Sequence, residues 1–253
     1  MTTIPGTRTK AVFMPVADGS FPPLYYGAGE GSVAIASMNA GNSQGLYVGG
    51  DGINKGFRHA LSKQKTDLYA SEHTAMAGAA APGAIVTKTY TPEDPCACMT
   101  LCNKRLPGTS GYTGLAFADV FSDALCPHGN TMNRGMSYVA PPYGGDYTRD
   151  ADFLDAIREL GGTAVEAVHG YNLWAKANSA PEIGGLRLCM YSSSIYNPKG
   201  VPQNDIAMAI YGGVRAGIIA TGASLSEVQM PVASSGPTAH KPYFAAVKAS
   251  LTS

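Results

Sequence analysis

Six short apolar, partly β-branched runs, at residues 11–14, 32–36, 85–87, 137–139, 186–191 and 227–232, constrain this chain more than any other feature. Gly and Pro punctuate them, so they read as strands. Between the later runs the spacing turns helical: Phe153, Ile157 and Leu160 share one face, and Ile206, Ile210 and Val214 share another, from a start near Asn204 or Asp205. The pair Gly161-Gly162 predicts a break, after which Thr163-Ala-Val-Glu166 reads as a capping box that restarts a helix with Val165, Val168 and Tyr171 on one side. Alternating strands and helices predict an α/β sandwich with a mostly parallel sheet, whose ligand sites lie beyond the carboxyl ends of the strands.

Two of those ends are rich in small residues. The run at 32–38 passes into Asn39-Ala-Gly-Asn42 and Gly49-Gly-Asp-Gly52 before a helical pattern over 53–61. Glycines there leave no side chain between backbone N–H groups and a ligand, and a helix N-terminus favours negative charge. The run at 186–191 ends in Ser192-Ser-Ser-Ile-Tyr-Asn-Pro-Lys-Gly200 before another helix. Two such loops facing each other across a cleft suit a diphosphate. Neither is followed by Gly-Lys-Ser/Thr, and neither carries Gly-x-Gly-x-x-Gly, so ATP hydrolysis and hydride transfer are not indicated.

Composition narrows the class further. Of 253 residues 45% are apolar and only 14% charged, with 31 glycines, which suits close backbone packing in one domain. The Pro/Gly-rich stretch at roughly 93–134 reads as an insertion in it. Lys plus Arg equals Asp plus Glu at 18 each, with no basic run, which argues against a nucleic-acid partner. No stretch approaches the length of a membrane span and residues 1–20 hold no signal-like apolar block, so an intracellular, cytoplasmic protein without a membrane partner is expected. Five cysteines, an odd count with three clustered at Cys96, Cys98 and Cys102, read as reduced thiols.

The order of these motifs resembles the macrodomain family: a strand ending in Asn-Ala-Gly-Asn42, then Gly49-Gly-Asp-Gly-Ile53 and a helix, a strand around Ile85-Val-Thr87, a strand ending in Tyr138-Val-Ala-Pro-Pro142, and Ser192-Ser-Ser-Ile-Tyr196. The resemblance runs from about Ser32 to Gly217. It implies a three-layer α/β/α fold with a mixed sheet, carrying the Cys-containing insertion, and ADP-ribose or an ADP-ribosylated protein as the partner, with no cofactor. It also implies that Asn39, Asn42, Gly49, Gly50, Gly52, Ile53, Ser193, Ser194, Ile195 and Tyr196 line the site, with Glu30, or else Asp18, at the adenine. Some members hydrolyse ADP-ribosyl bonds, and Asn42, Asn54 and Glu72 are the corresponding candidates here. Asn54 stands where hydrolytic members often carry Asp, and an amide cannot act as a general base. Three outcomes therefore stand side by side: a hydrolase, a reader that binds without turnover, and a structural protein with a degenerate pocket.

Three smaller signals point elsewhere. His73 with Pro95-Cys96 suggests the zinc-deaminase pattern, but Ala75 replaces its proton-shuttling Glu and Met99 its second thiolate. A structural zinc on some of Cys96, Cys98, Cys102, Cys126 and His128 would need an uncommon spacing, so no metal is expected. His59, His169 and Trp174 fit amphipathic helix faces, and Tyr243-Phe244 suits either adenine stacking or the docking of a terminal helix.

Overall fold

The computed structural model describes residues 1–16, 34–41, 53, 84–89, 96–103, 115–121, 133–177, 179, 182–233 and 244–252. Among these, nine strands form a single sheet: β1 (Thr2–Thr3), β2 (Lys10–Val16), β3 (Ile35–Ala40), β4 (Ala84–Thr89), β5 (Cys96–Asn103), β6 (Leu115–Phe121), β7 (Asn133–Ala140), β8 (Gly185–Arg187) and β9 (Glu227–Ala233). Their order is β1-β2-β9-β8-β3-β7-β6-β5-β4. The five neighbours β2, β9, β8, β3 and β7 run parallel, while β7, β6, β5 and β4 form an antiparallel wing and β1 is antiparallel to β2. The class is α/β with a mixed sheet, and residues 96–103 and 115–121 of the expected insertion are strands of that sheet.

Three helices are described: α1 (Asp150–Ala177), α2 (Gln203–Thr221) and α3 (Ala245–Thr252). Strand alternation explains where they lie. Ala36, Met38, Val139, Leu186, Leu188, Val228 and Met230 fall on one face of the sheet by register and share a core with Phe153, Ile157, Val168, Ile206, Ile210 and Val214 of α1 and α2. The short helix α3 packs beside α2, with Phe244 and Val247 buried and the Lys248 ammonium 6.0 Å from the Phe13 ring centroid. The opposite face carries Ser37, Asn39, Arg187 and Gln229, all buried, so the central sheet is covered on both sides. Arg187 Nε–H donates to Gln229 Oε1 at 2.7 Å, and Gln229 Nε2–H donates to Glu227 Oε1 at 2.6 Å. Burial pulls the Arg187 guanidinium down to about 10, with Glu227 opposing the shift.

The expected break at Gly161-Gly162 is absent: α1 runs unbroken through both, and Thr163 is no cap, its Oγ1 donating back to Glu159 O at 3.1 Å. The glycines serve packing instead. A Cβ on Gly161 would lie 2.9 Å from Ile210 O, one on Gly217 would lie 3.0 Å from Gly162 Cα, and one on Gly213 would fall inside the Arg158 carbonyl. The two helices cross backbone to backbone, which a helix-breaking glycine and a contact glycine announce identically in sequence. Two strand boundaries also differ. The strand expected at 32–36 runs from Ile35 to Ala40, and the one expected at 186–191 is only Gly185–Arg187: Leu188 N–H still donates to Gln229 O, and beyond it the chain leaves the sheet until Tyr191 bonds to α1. After α1 the chain is pinned by Asn172, whose Nδ2–H donates to Ile183 O at 2.7 Å while its Oδ1 accepts from Ile183 N–H at 2.8 Å.

Two substitutions test this core. Gly213→Ala is expected to destabilise the fold by about 3 kcal/mol through overpacking. Its neighbour Gly212, where a Cβ would meet only Arg158 Nε at 3.6 Å, should tolerate Ala or gain up to about 1 kcal/mol from helix propensity. Urea denaturation of both variants measures the contrast, and equal effects would rule out the backbone crossing. Asn172→Ala leaves two buried main-chain groups unpaired and should cost about 2–3 kcal/mol in the same experiment.

Candidate functional site

At β3 the chain reverses its progress across the sheet: β7 lies on one side and β8 on the other, both parallel to it. Three neighbouring strands therefore release the chain at one edge, at Gly41 after β3, Pro141 after β7 and Leu188 after β8. Such a switch point opens a crevice beyond the carboxyl ends. The stretch that begins at Gly41, whose N–H still donates to Val139 O at 2.8 Å, is the small-residue turn singled out in the sequence.

The β8–α2 loop is built around two buried anchors. Tyr191 is buried and its hydroxyl donates to Ile157 O of α1 at 2.7 Å. Ser192 adopts φ 57°, a left-handed conformation seldom taken by residues other than glycine, and its Oγ–H donates to Pro142 O of the β7–α1 loop at 2.9 Å. Ser193 Oγ–H donates to Met190 O at 2.6 Å. The carbonyls of Ser194 and Tyr196 accept from Asn197 N–H and Gly144 N–H, both at 2.8 Å. Among the described residues, by contrast, none accepts from the main-chain N–H of Ser192, Ser193, Ser194, Ile195 or Tyr196. Five consecutive uncommitted donors, with carbonyls of the same turn spent on neighbours, make a local excess of positive dipole suited to an anion.

The adjoining loop holds this turn from the side. A short 3₁₀ turn, Gly144–Asp146, follows Tyr143, whose ring meets Tyr196 edge-on at 6.2 Å and 80°. A Cβ at Gly144 would come within 3.2 Å of both Phe153 Cζ and Tyr196 O, so only glycine lets the loops approach this closely without displacement. Burial raises the Tyr196 phenol, which stays neutral at physiological pH, and Ile195 beside it is 76% exposed.

Of the sequence-derived site residues, Ser193, Ser194, Ile195 and Tyr196 fall together on this loop. Ile53 is half-buried against the core, and Asn39 lies within β3, fully buried, on the same face as Ser37. Glu30, Asn42, Gly49, Gly50, Gly52, Asn54 and Glu72 lie outside the described residues, as do Asp18, His59, His73, Cys126, His128 and Tyr243. Cys96, Cys98 and Cys102 are on β5. His169 and Trp174 are half-buried on α1, the Trp174 ring 5.9 Å from that of Tyr171, and Phe244 is in the core, where the docked terminal helix places it. Sequence reasoning missed Pro142, Tyr143, Gly144 and Lys199. For the first three the available signal is the Pro-Pro-Tyr-Gly exit from β7.

Cys189 sits next to this loop but is chemically quiet. Burial pushes its thiol up to about 12, so it carries no thiolate at neutral pH and is no nucleophile. Because the folded pKa lies above the unfolded one, stability contributed by this thiol is present below about pH 9 and declines as pH rises toward 12. Iodoacetamide at pH 8 should leave Cys189 unmodified in the native chain and modify it in urea, read by mass spectrometry; native labelling would show that the β8 exit opens.

No protein-family model matches the chain. Two curated relatives are both named DNA/RNA-binding protein ALBA4: that of Plasmodium falciparum (isolate 3D7) is 30% identical over 215 residues, and that of Plasmodium yoelii yoelii is 28% identical over 200. The matches cover 78% and 72% of this chain but 57% and 53% of the relatives, so the chain spans just over half of their length. Their name corrects the expectation that nucleic acid is excluded, since an even total of charges says nothing about the phosphate-binding capacity of a local surface. Solved structures to which the chain is similar include macrodomains. They include the Trypanosoma brucei macrodomain in complex with ADP-ribose, at 12% identity and TM-score 0.44 over 79% of this chain and 57% of that one. The Oceanobacillus iheyensis macrodomain with MES bound matches at 11% identity and TM-score 0.41, over 79% of this chain and 77% of that one.

Proposed function

We propose that the chain binds ADP-ribose, or a ligand sharing its nucleoside diphosphate core, in the crevice at the β8–β3–β7 switch point. The observation that carries this reading is the run of uncommitted amides from Ser192 to Tyr196 at the same sheet edge from which the glycine-rich turn departs. Main-chain donors hold a diphosphate without a cluster of lysines or arginines, in keeping with an even charge balance. As the macrodomain resemblance implies, Gly49, Gly50 and Gly52, outside the described residues, would supply further amides, and Ile53, Ile195 and Tyr196 would shield the ligand from water. Binding without turnover is the preferred form, because Asn54 offers no general base; Asn42 and Glu72 remain the candidates if ADP-ribosyl bonds are cleaved.

A second reading, nucleic-acid binding, is favoured by the name of the two relatives. Both readings place phosphates on the protein, but they differ in salt dependence. Binding to a polyanion through several phosphates weakens steeply with salt, whereas a single diphosphate held by main-chain amides responds weakly.

Calorimetric titration with ADP-ribose, beside fluorescence titrations with single- and double-stranded DNA and RNA across a salt series, separates them. Ile195→Glu, at an exposed position, is expected to weaken ADP-ribose by about tenfold through like-charge repulsion while leaving thermal stability unchanged. Unaltered affinity in that variant would put the ligand elsewhere, and absence of ADP-ribose binding by the native chain would sink the first reading.

A further inference from the structure

Lys199 stands two residues past the Tyr196-Asn197 turn, and its side chain leaves its own loop. The ammonium donates to Tyr147 O and to Thr148 O, the latter at 3.0 Å, and lies 3.8 Å from Asp150 Oδ1 at the start of α1. Two of the ammonium's three donors are thus engaged by main-chain carbonyls, and the Asp150 carboxylate adds charge attraction without a hydrogen bond. What it joins is informative: Tyr147 and Thr148 close the β7–α1 loop, and Lys199 closes the β8–α2 turn.

The same two loops are already linked by Ser192 Oγ–H to Pro142 O and by Gly144 N–H to Tyr196 O. The three links are spaced along the turn, at the start of, at the end of, and after the Ser192–Tyr196 amides. Asn197 stiffens the last stretch internally, its Nδ2–H donating to Val201 O and its Oδ1 accepting from Val201 N–H, both at 2.9 Å. Beyond it Gly200 takes φ +70°, which lets the chain turn into α2. Within the turn the described bonds are Ser193 Oγ–H to Met190 O and Asn197 N–H to Ser194 O. The links to the β7–α1 loop add to them from outside.

We propose that Lys199 is a positioning residue that locks the β8–α2 turn to the β7–α1 loop, so that the two form one rigid ledge presenting the Ser192–Tyr196 amides. The lock is a property of the unliganded chain; its effect on affinity rests on the diphosphate reading given above. Pre-ordered donors avoid the entropy loss of arranging them on binding.

Amide hydrogen exchange of the ligand-free chain tests the lock directly, because the Gly144 N–H is protected only while Tyr196 O stays in place. Lys199→Met is expected to lower Gly144 protection about tenfold while α2 amides keep theirs, which controls for the fold. Lys199→Arg, which retains charge and donors, should stay within about threefold of native protection. The companion measurement is ADP-ribose affinity, expected to fall about tenfold in Lys199→Met and to be largely restored in Lys199→Arg. Unchanged Gly144 protection in Lys199→Met overturns the proposal whatever the ligand does. Reduced protection in a chain whose native form binds no ADP-ribose upholds the lock and overturns the diphosphate reading alone.

Discussion

Parallel pairing of β3 with both β7 and β8 is the constraint on which the rest of the structure depends. It places three chain exits side by side, although Gly41, Pro141 and Leu188 are separated by many residues in sequence. A one-residue slip of β8 between β3 and β9 would turn Arg187 to the other face, away from Ser37, Asn39 and Gln229, and break its hydrogen bond to Gln229. That polar row acts as a register pin: a guanidinium buried in a central strand is tolerable only where its acceptor lies in the matching row of the next strand.

The second determinant is the way α1 and α2 meet. Gly161, Gly162, Gly213 and Gly217 bring the helix backbones into contact, and Tyr191 fixes the β8 exit to α1 through Ile157 O. Each of the two loops at the crevice runs straight into one of these helices. The mutual position of these two loops thus follows from the helix crossing beneath them, set by small side chains away from the loops themselves.

Much of this was legible beforehand, and what was not has physical reasons. The apolar runs located β2, β3, β4, β7 and β9 because alternation and β-branching are local properties of a strand. The helix spacing of Phe153, Ile157 and Leu160, and of Ile206, Ile210 and Val214, reported the buried faces correctly for the same reason. Gly161-Gly162 misled, because a glycine pair looks the same whether the chain turns there or another helix presses against it; only the tertiary partner decides. The strand end at Arg187 was overrun because Leu188, Cys189 and Tyr191 are apolar for burial, which a strand and the turn that follows it share. Ser193 to Tyr196 could be found from a motif, whereas Lys199 and Gly144 could not, since their roles consist of contacts some fifty residues away along the chain. Charge totals misdirected the partner expectation, because binding depends on where dipoles and charges converge and not on their sum.

Ser192 holds a left-handed backbone although it is not glycine, a conformation that its hydroxyl bond to Pro142 O helps to maintain. Glycine would adopt the same angles more cheaply but would bring no hydroxyl. Serine thus trades local ease for a fastening, and threonine could not follow it there, because a branched Cβ is poorly accommodated at positive φ. An exchange for glycine would therefore release the fastening to the β7–α1 loop without obstructing the chain's path.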